Sequence, residues 1–131
     1  MTGFLDSNIL IYAFSQDPRS ETAVALLDGK SHIALQGLNE FANVAVRKLR
    51  MPFDDIVLAS AAIRTLVASI VMPDLAVHDY GLWLAERYQL QLYDGMMLSS
   101  ALRTDARTFW SEDMHDGLVI DDTLTIRNPF I

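Results

Sequence analysis

The chain contains no cysteine, which excludes disulfides, thiolate metal sites and cysteine nucleophiles and suits a cytoplasmic compartment. Long apolar runs are also missing. The longest stretch without a charged residue, Ser7 to Gln16, falls far short of the ~20 residues that span a bilayer. The opening Met1-Thr2-Gly3-Phe4-Leu5-Asp6 has no basic region and meets an acid before a signal-peptide core forms, so a soluble protein with no membrane role is expected. Positive charge is scarce: ten Lys and Arg face seventeen Asp and Glu, a formal net charge of −7. A protein that grips nucleic acid mainly by neutralising phosphates is basic. A polyanionic substrate here would require something local, such as a bound cation, to offset repulsion. No Gly-rich phosphate loop, dinucleotide fingerprint or nucleophile elbow occurs.

What is present is an ordinary globular composition, 51% hydrophobic and 21% charged over 131 residues, enough for one domain. The apolar Gly3-Phe4-Leu5 predicts a buried strand ending at Asp6, then a short helix capped by Ser7 or Asn8. A helix is expected from about Arg19 to Asp28, a strand over His32 to Gln36, and a helix over Gly37 to Arg50 with Leu38, Phe41, Ala42, Ala45 and Leu49 on one face. Asp54 and Asp55 open another helix to about Leu66. Ser69 to Met72 reads as a strand, Asp74 to Tyr88 as a helix, and Asp94 as the start of the next helix. Thr108-Phe109-Trp110, Leu118-Val119-Ile120 and Leu124-Thr125-Ile126 complete the strand candidates. Helices alternating with short apolar strands indicate a parallel sheet covered on both faces. A three-layer α/β/α domain with a mainly parallel sheet of four or five strands is expected. Trp83 and Trp110, among apolar neighbours, are assigned to the core.

Ligands in such folds bind beyond the carboxyl ends of the strands, which makes the acids there informative. Asp6 ends the first strand, flanked by apolar residues where an unpaired charge is costly. Asp94 opens a helix, and Glu112, Asp113 and Asp116 follow the Thr108 strand. Glu40 lies inside an apolar helix at the border of its core face. Singly, each has a plain explanation: a helix cap, a solvent-facing residue, a turn. Together they do not, because two carboxylates ~4 Å apart repel by roughly 4 kcal/mol at an effective protein dielectric. Several at one rim call for a cation. Oxygen-only donors suit Mg²⁺ or Mn²⁺ rather than zinc, and a hard cation on carboxylates is the machinery of phosphodiester hydrolysis.

The segments Phe4 to Ala13, Leu38-Asn39-Glu40-Phe41, Leu92 to Ala101 and Trp110-Ser111-Glu112-Asp113-Met114, in that order, resemble a PIN domain. The ending Ile126-Arg127-Asn128-Pro129-Phe130 resembles the VapC-like toxin branch of that family. The resemblance implies a metal-dependent ribonuclease, the toxin of a toxin–antitoxin pair, acting on RNA, held by a cognate antitoxin and forming a homodimer through the helices after Gly37. It maps the acidic quartet onto Asp6, Glu40, Asp94 and Asp113, with Ser7 or Asn8 as the supporting polar residue. Gly95 departs from the alanine common at its position, which loosens the helix start without removing a ligand. Asp116 competes with Asp113 for the fourth place. Asp113 is preferred because Asp116 precedes Gly117 and reads as turn chemistry. Glu112 and Asp113, as neighbours, point in opposing directions.

Rival readings weaken on single residues. A haloacid-dehalogenase-like phosphatase requires a second acid where Asn8 stands. A response-regulator receiver requires a late lysine, and the only lysines are Lys30 and Lys48. A non-catalytic PIN-like RNA-binding or scaffold module is the main alternative, and the presence of all four acids argues against it. Arg47, Lys48, Arg50 and Arg64 form a basic face that is solvated or guides RNA. His32, His78 and His115 are scattered, with only His115 near the acids.

Overall fold

The computed structural model describes residues 2–131. The chain alternates strand and helix: β1 (Gly3–Leu5), α1 (Ser7–Ala13), α2 (Ser20–Leu26), β2 (His32–Ala34), α3 (Leu35–Arg47), α4 (Phe53–Leu66), β3 (Ser69–Val71), α5 (Leu75–Tyr88), α6 (Leu92–Ala101), β4 (Thr108–Trp110), β5 (Val119–Ile120) and β6 (Leu124–Arg127). The strands form one sheet in the order β3-β2-β1-β4-β6-β5, parallel except for β5, which runs antiparallel to β6. Six strands exceed the four or five expected. The final β5–β6 hairpin joins the sheet instead of folding over it, because β6 pairs alongside β4, Phe109 opposite Ile126.

Strand side chains alternate between the faces with period two. Phe4, Ala34 and Phe109 enter one core with Leu84, Met97 and Leu98 of α5 and α6. Leu5, Ile33 and Trp110 enter the other with Ile9, Phe41 and Ile63 of α1, α3 and α4. Helices therefore cover both faces, and the three layers are those expected. Phe4 and Phe109 stack with centroids 5.5 Å apart, locking β1 to β4.

Several local expectations are corrected. Asp6 itself caps α1, its side chain accepting from the Ser7 N–H, where Ser7 or Asn8 was expected to do so. A carboxylate there also meets the positive end of the helix. The helix after β2 begins at Leu35, two residues early. The helix expected to start at Asp94 begins two residues earlier, at Leu92, which leaves Asp94 in the first turn of α6. Trp110 is half-buried against a core, but Trp83 is 47% exposed and stacks on Tyr80 at 5.2 Å. It is exposed on α5 together with Leu82 and Tyr80, while Leu84 alone of its large apolar near neighbours enters the core. Gly95 does not loosen α6. A Cβ added there would lie 2.5 Å from the Gly81 carbonyl oxygen, and one on Gly81 would lie 2.5 Å from Met96 Sδ. The two glycines let the α5 and α6 backbones touch.

Candidate metal centre

Strand order places a crevice. From β1 the chain moves to β2 and β3 on one side and then crosses to β4 on the other, so the direction of winding reverses between β1 and β4. Ligands bind at such switch points. Asp6 leaves β1 there, residues 111–113 leave the neighbouring β4, with Leu5 opposite Trp110, and α3 with Glu40 follows β2 on the other flank. Asp94 arrives on α6.

Asp6 is 7% exposed. One carboxylate oxygen accepts from the Ser7 N–H at 2.7 Å and the other from the Ser111 hydroxyl at 2.8 Å. Burial pushes its pKa up to about 6; the Ser111 and Ser7 hydrogen bonds oppose this, and the charges of Asp94 and Glu40 add to it. Asp94 is also raised, first by desolvation and then by Asp113 and Glu40. Glu40 is half-buried and accepts from Gln36 Nε2, one turn earlier on α3, at 3.1 Å. Asp113 accepts from Asn8 Nδ2 at 3.1 Å, and its N–H donates to Ser111 Oγ at 3.2 Å. Asp6, Glu40, Asp94 and Asp113 thus share one electrostatic neighbourhood. Asp116 does not join it: its carboxylate accepts from the Asn128 N–H at 2.8 Å and fastens the C-terminal segment. Ser7 contributes its backbone N–H. Asn8 contributes its side chain, whose Oδ1 also accepts from the Glu112 N–H at 3.4 Å.

Reading residues along the chain missed Ser111. Its fully buried hydroxyl bridges Asp6 and the Asp113 backbone. The signal was a serine between an apolar strand and two acids. Gln36 and Arg19 were likewise missed, because their roles come from contacts across turns and loops. Asp94 and Asp113 line an open depression with Gln89, Gln91, Met114 and His115, so these two acids are reachable from solvent.

The donor set has the chemistry a hard cation prefers. It is all oxygen, and the clustered negative charge has Asp6 deeply desolvated at its base. Among the described residues, no three acids or histidines stand close enough together to hold a metal ion as they are placed. The set is an open rim, the form suited to an ion such as Mg²⁺ that keeps several waters. In donor type the residues suit a divalent cation.

Fold and rim define a small three-layer α/β/α protein with carboxylates gathered where the sheet reverses its winding. The chain belongs to the PIN domain family, whose model matches residues 3–115. No curated protein sequence matches it. Its fold is similar to that of a toxin–antitoxin complex from Klebsiella pneumoniae, at 19% identity and TM-score 0.74, covering 97% of each chain. VapBC2 from Rickettsia felis, solved bound to a DNA fragment from its promoter, is similar at 18% identity and TM-score 0.69 over 98% of each chain. Mycobacterium tuberculosis VapC20, a toxin that cleaves the sarcin–ricin loop, matches at 18% identity and TM-score 0.67, covering 86% of this chain and 92% of that one.

Proposed function

We propose that this protein is a metal-dependent endoribonuclease and the toxin of a toxin–antitoxin pair. The observation that carries the reading is the gathering of Asp6, Glu40, Asp94 and Asp113, from four separate elements, around one open rim in a PIN fold. These four would hold Mg²⁺ or Mn²⁺. When bound, the cation supplies charge neutralisation and an acidified water for phosphodiester hydrolysis. The chain's own residues orient the donors. The Ser7 N–H and Ser111 hydroxyl hold the Asp6 carboxylate, Asn8 turns Asp113 toward the rim, and Gln36 steadies Glu40. A net charge of −7 makes the cation the means by which an acidic protein accepts RNA.

The partner reading is supported by the similar structures, one a toxin–antitoxin complex and one, VapBC2, bound to DNA from its promoter. Phe53, Val57 and Leu58 on α4 are all more than 60% exposed, an apolar surface of the kind that partners cover. A cognate antitoxin and a second copy of the chain are its proposed partners, and the cytoplasm, where RNA is met, its proposed compartment. Incubating the protein with RNA and Mg²⁺ or Mn²⁺ should give internal cleavage that excess chelator abolishes. Cleavage unchanged in chelator contradicts the mechanism, and no cleavage with any divalent metal favours a non-catalytic RNA-binding module. Expression of this chain should inhibit growth, and co-expression of a small antitoxin encoded beside its gene should relieve that inhibition. Failure of relief argues against the pairing.

A further inference from the structure

Arg19, ahead of α2, reaches across to the segment that carries Asp113. Its guanidinium grips Asp17 through Nε at 2.8 Å and Nη2 at 3.1 Å, and donates through Nη1 to Glu112 at 2.5 Å. The group lies over the Tyr12 ring, 4.5 Å from its centre. The anchor is itself built. Asp17 accepts from the Arg19 N–H at 2.9 Å, the Asp17 N–H donates to Ser15 Oγ at 3.2 Å, and the Ser20 N–H closes on the Asp17 carbonyl at 2.9 Å. A planar fork fixed on one carboxylate has a defined direction left for a second. Among the described residues, this is the one ion pair that reaches residues 111–116.

Glu112 stands between two residues of the rim. Ser111 holds Asp6, and Asp113 faces Asn8. Glu112 is a fifth carboxylate beside the four of the rim. Its backbone N–H makes only a long contact to Asn8 Oδ1, at 3.4 Å, and its side chain is held by the ion pair with Arg19. The Tyr12 phenol, whose pKa Glu112 pushes up to about 12, flanks the same carboxylate. We propose that Arg19 is a positioning residue of the metal centre. By holding Glu112 against the α1–α2 connection it fixes the backbone of residues 111–113, so that Asp113 and not Glu112 serves the rim. This rests on the reading of the rim as a cation site.

The test is Mn²⁺ affinity by calorimetry, with hydrogen exchange of the amides of residues 112–116 measured on the metal-free protein. Arg19→Ala should weaken Mn²⁺ binding ~10-fold, the scale typical of partners that orient metal ligands, and should speed exchange in that segment. In the Glu112→Gln background, where the ion pair is already broken, Arg19→Ala should change Mn²⁺ affinity less than about twofold, because coupled residues do not add. Unchanged affinity with only a lowered melting temperature makes Arg19 structural and overturns the proposal. Unchanged affinity with a raised KM for RNA makes it a phosphate contact and does the same. An equal loss in both backgrounds shows that Arg19 does not act through Glu112. If the wild type binds no Mn²⁺, the ribonuclease reading fails, and exchange still decides: an unaltered segment in Arg19→Ala refutes the positioning.

Discussion

Asp6 shows what a single residue contributes. Its carboxyl is raised from 3.8 to about 6, chiefly by burial, so the folded state binds this proton more tightly than the unfolded chain. Stability from this source is fully present below about pH 4 and is lost as pH rises through 6. The gap corresponds to about 3 kcal/mol. In chelator, denaturant titrations of the wild type should therefore show stability falling between pH 4 and 7. Asp6→Asn, which keeps an acceptor for Ser7, should flatten that fall and be the more stable protein at pH 7. A pH-independent wild type would show that Asp6 is not desolvated as described. At the other end of the rim, Asp113→Asn should reduce RNA cleavage by more than the ~10–100-fold cost of losing a mere supporting partner, whereas Asp116→Asn should cost less than about tenfold. Asp116 bonds the Asn128 N–H, and its loss should appear instead as a looser C-terminal segment. A dead Asp116→Asn protein beside an active Asp113→Asn protein reverses the assignment. The place of Asp6 was legible because an acid at the end of an apolar strand stands out, whereas Asp94, readable alone as a helix cap, drew notice only beside the other acids. Ser111 was not legible, since its partner Asp6 is 105 residues away.

At the scale of elements, the rim depends on how α5 and α6 approach. Gly81 and Gly95 allow backbone contact, and any side chain at Gly95 would meet the Gly81 carbonyl oxygen and Ala85. Gly95→Ala replaces a residue of poor helix propensity, a gain of up to ~1 kcal/mol. It must then overpack a fixed interface at a typical cost of ~1–3 kcal/mol. The net should be destabilisation, read as a lower denaturation midpoint, with a rise in the Mn²⁺ concentration needed for cleavage because Asp94 precedes Gly95. A more stable Gly95→Ala protein would mean the helices have room to part. The sequence shows why such features escape reading along the chain. Periodicity reveals the apolar face of α3, with Leu38, Phe41 and Ala45 buried, because the signal is local. Gly95 read as a weak helix start and Trp83 as core because each is decided by the neighbouring helix or its absence. The strands were legible from short apolar runs, but the place of the last two in the sheet depends on pairing between β4 and β6.

The whole molecule joins an acidic surface to exposed apolar helices. Phe53, Val57 and Leu58 on α4 and Tyr80, Leu82 and Trp83 on α5 are exposed large apolar side chains, the kind of surface that partners cover. Light scattering at high concentration should give twice the monomer mass, and charged substitution of Phe53 or Trp83 should identify which helix carries the contact. A clean monomer at all concentrations removes the homodimer from the account. The central claim is that the carboxylate rim holds the cation through which an acidic protein cleaves RNA. Its most direct test is the rate of cleavage of a labelled RNA as Mn²⁺ is titrated into metal-free wild type and Asp6→Asn. The wild type should rise from no cleavage to saturation, and Asp6→Asn should stay near zero at every concentration while remaining folded. Wild-type cleavage before any Mn²⁺ is added, or an Asp6→Asn protein that follows the wild-type curve, would contradict it.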